Sequence, residues 1–241
     1  RCIPGRFSPI GYFSKPLAHI VNYIDYSDFF AVEGFHAFMS NRDQDFAILE
    51  HRKCFVDALG LNRSQLVIPQ QVHSNELVRV SGSCTLPSTD GTIAQEKDVV
   101  LSIQVADCIP LFLLNTTSHT FGLIHSGWRG TQLKIGPIAL QEMVHDQPGA
   151  VRAVIGPSIG QCCFEVGPEV ADIFDSSRSI PGNGDRHMLD LKSVVKDQLI
   201  EAGLANNNIL VDNQCTFCEK DKYFSYRRDG DKAGRMVAIT G

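Results

Sequence analysis

His73, Cys108 and His125 are the side chains of this 241-residue sequence whose types most invite chemistry. Two imidazoles and a thiolate are ligand types that zinc takes, at about 2.0–2.1 Å to nitrogen and about 2.3 Å to sulfur. Three protein ligands leave a fourth position open, the arrangement of a catalytic rather than a structural ion. Each of the three stands at the end of an apolar run. Taken singly, each also reads as a satisfied histidine or a core cysteine, and their wide separation along the chain leaves both readings open. Asp107 sets a carboxylate beside Cys108 in an otherwise dry segment, where it can move a proton or orient a ligand. Beyond His125, Gly127-Trp128-Arg129-Gly130-Thr131 can place backbone N–H groups and a guanidinium around an anion at a helix start. The alternative there is a tight turn with Arg129 in a structural ion pair.

The elements that must position these groups follow from periodicity. Val99–Val105, Ile109–Leu114 and Phe121–Ile124 are short runs rich in Val, Ile and Leu, read as buried strands. Leu66–Val72 and Glu76–Val80 read as two strands joined at His73-Ser74-Asn75, the first an edge or bulged strand because of Pro69. Ser81–Gly91 reads as loop. Phe46, Leu49, Phe55, Val56 and Leu59 recur at helical spacing up to Gly60, which predicts a helix over 44–59. Residues 1–43 read as irregular, with turns at Pro4-Gly5, Pro9 and Pro16, apart from a strand at 34–39. Thr131–His145 reads as a helix that Gly136-Pro137 must kink or restart. Val151–Ile155 is a buried strand and Gly156–Gly160 a turn. Pro168 opens a helix to Phe174, and 176–185 is loop. Asp190 caps a helix that Gly203 stops, with Leu191, Val194, Val195 and Leu199 on one face. Strands are expected near 209–211 and 235–240. Strands and helices intermix without a linker or repeat, which predicts one α/β domain over residues 1–241.

Composition narrows the class. With 43% hydrophobic and 20% charged residues the chain is an ordinary globular one, long enough to build its core without staples. A net charge of −5 and scattered Lys and Arg argue against nucleic acid as partner. The apolar runs fall short of the roughly 18 residues of a membrane span, and the start R-C-I-P-G-R-F has no apolar signal core. Several of the eight cysteines lie in apolar sequence, so we expect mostly free thiols in a reducing, cytoplasmic compartment. Cys215 and Cys218 form a C-x-x-C; the adjacent pair Cys162-Cys163 is a poor partner for it in a zinc site, and local packing is the expectation. The histidines, at 19, 36, 51, 73, 119, 125, 145 and 187, include no H-x-H pair, so a multinuclear copper centre does not fit, while a single copper at His73, Cys108 and His125 does.

Six stretches, in this order, resemble the YfiH/YlmD family of laccase-domain proteins. They are Q-Q-V-H-S-N at 70–75, D-G at 90–91, A-D-C-I-P-L at 106–111, H-S-G-W-R-G-T at 125–131, I-G-P-S-I-G-Q-C-C-F-E-V at 155–166 and F-S-Y-R-R-D-G at 224–230. The resemblance implies two sheets packed together with helices outside, and metal ligands at His73, Cys108 and His125. It further implies zinc, with copper as the alternative. The implied activities are phosphorolysis of purine nucleosides (adenosine, inosine, S-methyl-5′-thioadenosine) and deamination of adenosine, with nucleosides and phosphate as small-molecule partners. The expected catalytic residues are Asp107, Cys108 and Arg129, and the expected substrate-binding residues Arg42, Gln71 and Arg129. Where the family commonly has a phenylalanine-Ser-Thr-Arg run followed by glycines, this chain has Phe38-Met39-Ser40-Asn41-Arg42 and then Asp43-Gln44-Asp45. The competing readings are phenol oxidation at copper, a Cys-His hydrolase with Cys108 as nucleophile, and a metal-buffering protein without turnover.

Overall fold

Three sheets organise the chain in the computed structural model, which describes residues 21–144 and 150–241. The first, in spatial order, is β1 (Tyr23–Asp25), β2 (Ala37–Ser40), β15 (Met236–Thr240), β7 (Val100–Val105), β3 (Leu66–Pro69) and β5 (Thr85–Leu86). The second is β14 (Ile209–Val211), β10 (Val151–Ile155), β8 (Ile109–Asn115), β9 (Phe121–Ser126), β6 (Gly91–Ala94) and β4 (Leu77–Arg79). A small third sheet joins β11 (Glu165–Val166), β13 (His187–Leu189) and β12 (Ser179–Pro181). Parallel pairs (β3–β7, β3–β5, β10–β14, β4–β6) mix with antiparallel ones.

Alternation along the strands sets the layering, because successive side chains point to opposite faces. Leu101, Ile103 and Val105 of β7 share a cluster with Met236 and Ala238 of β15, and with Phe112, Leu114 and Leu123 from the facing sheet. The other faces are covered by helices. Val100, Val237 and Ile239 pack against Phe55 and Val56 of α2 (Leu49–Ala58), the helix after the one-turn α1 (Ser27–Phe30). Leu111, Leu113 and Ile124 meet the helices that follow β9 and β13. The result is a mixed α/β architecture of two sheets face to face with helices outside, as the family resemblance implied, each apolar face buried against another layer.

The helix expected at 44–59 begins only at Leu49. Asp45 spends its carboxylate on the N–H groups of Ala47 and Arg235, which holds residues 45–48 as a turn. The helix expected at 131–145 is two helices, α3 (Trp128–Gln132) and α4 (Ile135–Met143). The break falls at Lys134, in the left-handed region with φ 58°, and Pro137 sits harmlessly in the first turn of α4. The expected end at His145, like the turns at Pro4, Pro9 and Pro16, lies outside the described residues. β5 and β12 occupy sequence read as loop, and β11 and β13 sequence for which no element is expected; these strands are two or three residues long, too short for alternation to register. Beyond α5 (Pro168–Ala171), α6 (Leu191–Glu201) is capped as its sequence predicts, the Asp190 carboxylate accepting from Ser193 N–H at 3.1 Å. The one-turn α7 (Tyr226–Asp229) starts at Ser225, whose hydroxyl accepts from Arg228 N–H. No helix among the described residues is long and apolar enough to cross a membrane.

Candidate metal centre

Register brings the first two donors together. In the β8–β9 hairpin Ile109 pairs with Ser126, so Cys108, one residue before β8, stands beside Gly127, one residue after β9. A Cβ on Gly127 would lie 3.0 Å from Cys108 Sγ and 3.2 Å from the His73 ring, so the glycine lets both donors sit close against the backbone. β6 lies on the other side of β9, with Gly91 opposite Ile124, and this sets Asp90 beside His125. The His125 N–H donates to the Asp90 carbonyl at 2.7 Å, and its ring Nδ1 meets the Asp90 carboxylate at 2.8 Å.

The third donor comes from a loop gathered around the same carboxylate. Asp90 accepts from the N–H groups of Val72, His73 and Ser74, at 3.1, 3.0 and 2.7 Å, and from the Ser74 hydroxyl at 2.7 Å. Wrapping that loop around a single acceptor forces His73 to φ 64°, an uncommon conformation for a residue with a Cβ. Asp107, beside Cys108, is also left-handed, at φ 82°. Both loops that deliver donors are thus held in sparsely populated backbone conformations, of the kind that collects at functional sites.

The Sγ of Cys108 and the ring nitrogens of His73 and His125 lie within 4.8 Å of one another, and the two rings meet edge to face with centroids 4.8 Å apart. Zinc bonded to such donors separates them by about 3.3–3.6 Å, so small side-chain adjustments close the set around an ion. A proton on His125 Nδ1 donated to Asp90 leaves Nε2 as the ligating atom, the carboxylate–histidine arrangement of many metal sites. His73 is exposed and Cys108 partly so, which leaves one side of the set accessible. The donor set therefore fits a soft or borderline divalent metal.

The electrostatics agree. Burial alone would raise the carboxyl of Asp90, but the hydrogen bonds from His125 and Ser74 hold it well below the usual carboxylate range. Burial also opposes ionisation of Cys108, yet the charge and hydrogen bond of His125, aided by His73, bring the thiol down to about 6. His125 moves the other way: burial disfavours its charge, while the Cys108 thiolate and Asp90 push it up to about 9. Without metal the pair is a thiolate beside an imidazolium; a cation replaces the proton in the same field.

The other expected site residues are placed differently. Both carboxylate oxygens of Asp107 accept hydrogen bonds, from the Thr216 hydroxyl at 2.6 Å, the Ser225 hydroxyl at 3.0 Å and Arg227 N–H at 2.7 Å, which tie the group to the C-terminal loops. Gln71 brackets the main chain of Gln104, accepting from its N–H and donating to its carbonyl, both at 2.8 Å. Its amide holds the 70–75 loop against β7. Arg42 donates to the Lys220 carbonyl and lies over the Phe224 ring, 4.9 Å from its centroid. Arg129 is exposed with its guanidinium over Trp128 at 4.4 Å, and among the described residues no carboxylate pairs with it. Asp90, quoted in the sequence only as part of the D-G step at 90–91, is the residue to which sequence reasoning gives no role. Its signal was the D-G step: an acid fully buried beside a glycine whose added Cβ would sit 2.5 Å from Leu77. The pair Cys162-Cys163, expected to be a poor partner for Cys215-x-x-Cys218, does lie beside it: the four thiols all come within 4.8 Å of one another.

A family model described as "Multi-copper polyphenol oxidoreductase laccase" matches residues 31–241. The chain is 31% identical over 221 residues to purine nucleoside phosphorylase YlmD of Bacillus subtilis, which covers 83% of this chain and 78% of that protein. It is 29% identical over 213 residues to adenosine deaminase RL5 of an unknown prokaryotic organism, covering 80% of this chain and 81% of the relative. The crystal structure of YlmD from Geobacillus stearothermophilus is similar with a TM-score of 0.80 at 26% identity, over 87% of this chain and 92% of that one. The matched span takes in the whole of both large sheets except β1, with every donor and the carboxylate behind them. The chain belongs to the YfiH/YlmD family of laccase-domain proteins.

Proposed function

We propose that this chain is a metal-dependent purine nucleoside enzyme that cleaves adenosine, inosine or S-methyl-5′-thioadenosine with phosphate and deaminates adenosine. The observation that carries the reading is the meeting of His73, Cys108 and His125 within 4.8 Å on an accessible edge, with Asp90 behind them. Relatives named purine nucleoside phosphorylase and adenosine deaminase support it. His73, Cys108 and His125 would hold a zinc ion, which when bound would supply Lewis acidity and activation of water there.

The chain's own residues do the rest. In phosphorolysis a phosphate oxygen attacks C1′ of the ribose as the bond to the purine breaks, which is chiefly a task of positioning and electrostatic stabilisation. Arg129, held over Trp128 and without a carboxylate partner among the described residues, offers its guanidinium to the phosphate dianion. Asp90 keeps the proton on His125 Nδ1 and the other nitrogen turned outward. Asp107 acts as a positioning residue: anchored by Thr216, Ser225 and Arg227, it fixes the turn from which Cys108 projects. Gln71 does the same for the His73 loop, and Arg42 for the 220–224 loop. The test is a chromatographic screen of zinc-loaded protein under anaerobic conditions. Adenosine should give adenine only with phosphate, and inosine without it. If adenosine, inosine and methylthioadenosine all persist with phosphate present, the proposal fails; if phenols are oxidised in air instead, copper chemistry replaces it.

One observation favours a second reading. Cys108, His125 and Asp90 also line up as nucleophile, base and orienting carboxylate, the set of a Cys-His hydrolase. Iodoacetamide separates the two: a metal-held thiolate is alkylated only after chelation, and a free catalytic thiolate at the same rate with or without chelator.

A further inference from the structure

Well apart in sequence from the three donors, two loops bring four thiols to one point. Cys162 and Cys163 lie in the loop after β10, and Cys215 and Cys218 in the loop after β14. The loops are joined at a bridge between Ser158 and Cys215. The separations are 3.3 Å for Cys163 to Cys218 and 3.7 Å for Cys162 to Cys218, and all four sulfurs fall within 4.8 Å of one another. A disulfide needs about 2.05 Å between sulfurs. A tetrahedral ion with four sulfurs at about 2.3 Å spaces them by about 3.8 Å, which is the range seen here. We propose that Cys162, Cys163, Cys215 and Cys218 form a second, closed metal site, a four-thiolate zinc centre that clamps the loop after β10 to the loop after β14.

The surroundings suit such a centre. Gly160 N–H donates to Cys215 Sγ at 3.2 Å, the kind of outer hydrogen bond that holds a ligating sulfur in place. A Cβ on Gly160 would sit 3.3 Å from both Cys162 Sγ and Cys215 Cβ, so the glycine lets the loop backbone close over the sulfurs. Four thiolates around a divalent ion carry a net charge of −2, and the buried Lys192 stands nearby to offset it. Its ammonium donates to the carbonyls of Asp212 and Gln214, immediately ahead of Cys215, at 2.7 Å each. Four sulfur ligands leave no open position, so the role is structural.

The two centres are mechanically connected through Asp107. Ile159 N–H, from the loop carrying Cys162 and Cys163, donates to the Asp107 carbonyl at 3.0 Å. Thr216, between Cys215 and Cys218, donates to its carboxylate at 2.6 Å. A metal fastening those loops holds the residue next to Cys108, so the four-thiol site positions the three-donor site without touching it.

Metal counting with X-ray absorption on the full chain, purified under reducing conditions without chelator, tests this. Wild-type protein is expected to hold zinc at both centres. Cys108→Ala should keep one zinc per chain, with a first shell of four sulfurs at about 2.3 Å. The double variant Cys162→Ser with Cys218→Ser should lose that ion and keep one bound by mixed nitrogen and sulfur. The wild-type spectrum needs no variant to fold: a sulfur contribution no greater than the His73, Cys108 and His125 set supplies overturns the proposal. So does an intact mass showing a disulfide among these cysteines after anaerobic purification. A chain that turned over no nucleoside would still show the four-sulfur shell, so this proposal and the one above fail separately.

Discussion

Asp90 and His125 are joined twice, through the main chain at 2.7 Å and from ring to carboxylate at 2.8 Å. The first link is a consequence of β6 pairing with β9. The second uses that pairing to fix which imidazole nitrogen faces out. Since the same carboxylate accepts from three consecutive N–H groups around His73, one buried acid sets the orientation of two donors from different parts of the chain.

Replacing Asp90 therefore acts on both donors. Asp90→Asn should weaken metal binding by about 10–100-fold, the usual effect of losing a partner behind a ligating histidine. Asp90→Ala, which leaves the buried His125 ring and the N–H groups of residues 72–74 without their acceptor, should cost about 3 kcal/mol or more in denaturant unfolding. Metal affinity unchanged in Asp90→Asn would show that the carboxylate does not orient the ring.

Gly127→Ala tests how closely the donors are packed. Its φ of −79° suits alanine, so the backbone is not strained. The new methyl would stand 3.0 Å from Cys108 Sγ and 3.2 Å from the His73 ring, pushing both outward. Metal affinity should fall by about tenfold or more while circular dichroism stays the same; a shift of a few tenths of an ångström in ligand position is enough.

The pH dependence has a definite sign. In metal-free protein His125 favours the Cys108 thiolate, so iodoacetamide labelling at Cys108 should rise through a midpoint near 6, where an ordinary thiol would need about 8.5. Removing the neighbouring charge in His125→Asn should move the midpoint upward. The depressed Asp90 contributes stability that is complete above its unfolded value of about 3.9 and is lost as pH falls toward its folded value. The contribution of Asp90 should accordingly persist down to about pH 4, whereas the thiolate of metal-free Cys108 is already protonated as pH falls through about 6.

Arg129 is exposed, so its removal should leave the fold and the metal intact. Arg129→Ala should raise the KM for phosphate by about tenfold or more, the scale of a charge-assisted hydrogen bond, with the KM for nucleoside little changed. Equal loss for both substrates would place the guanidinium elsewhere in the mechanism.

Much of this was legible because the donors sit at the ends of strands whose apolar character is strong. Val99–Val105, Ile109–Leu114 and Phe121–Ile124 were read within one or two residues of β7, β8 and β9, so Cys108 and His125 fell at strand ends in the sequence itself. What stayed hidden was long-range. Asp90 looks like loop until β6 pairs with β9, because only the register Gly91 to Ile124 sets it against His125. The partners of Asp107 are equally hidden, since Thr216 and Ser225, which supply its hydrogen bonds, lie over 100 residues away. Cys162-Cys163 and Cys215-x-x-Cys218 likewise gain meaning only when β10 and β14 pair in parallel and bring the loops that follow them to the same edge.

The most direct test of the central claim measures metal content and turnover on the same samples. Wild-type and Cys108→Ala proteins are incubated anaerobically with adenosine and phosphate, and bound zinc is counted alongside adenine formed. The account predicts that Cys108→Ala has lost the ion with nitrogen in its shell and makes adenine at least about 100-fold more slowly, as expected when a transition-state interaction of nearly 3 kcal/mol is removed. Adenine formation at the wild-type rate in Cys108→Ala would contradict it.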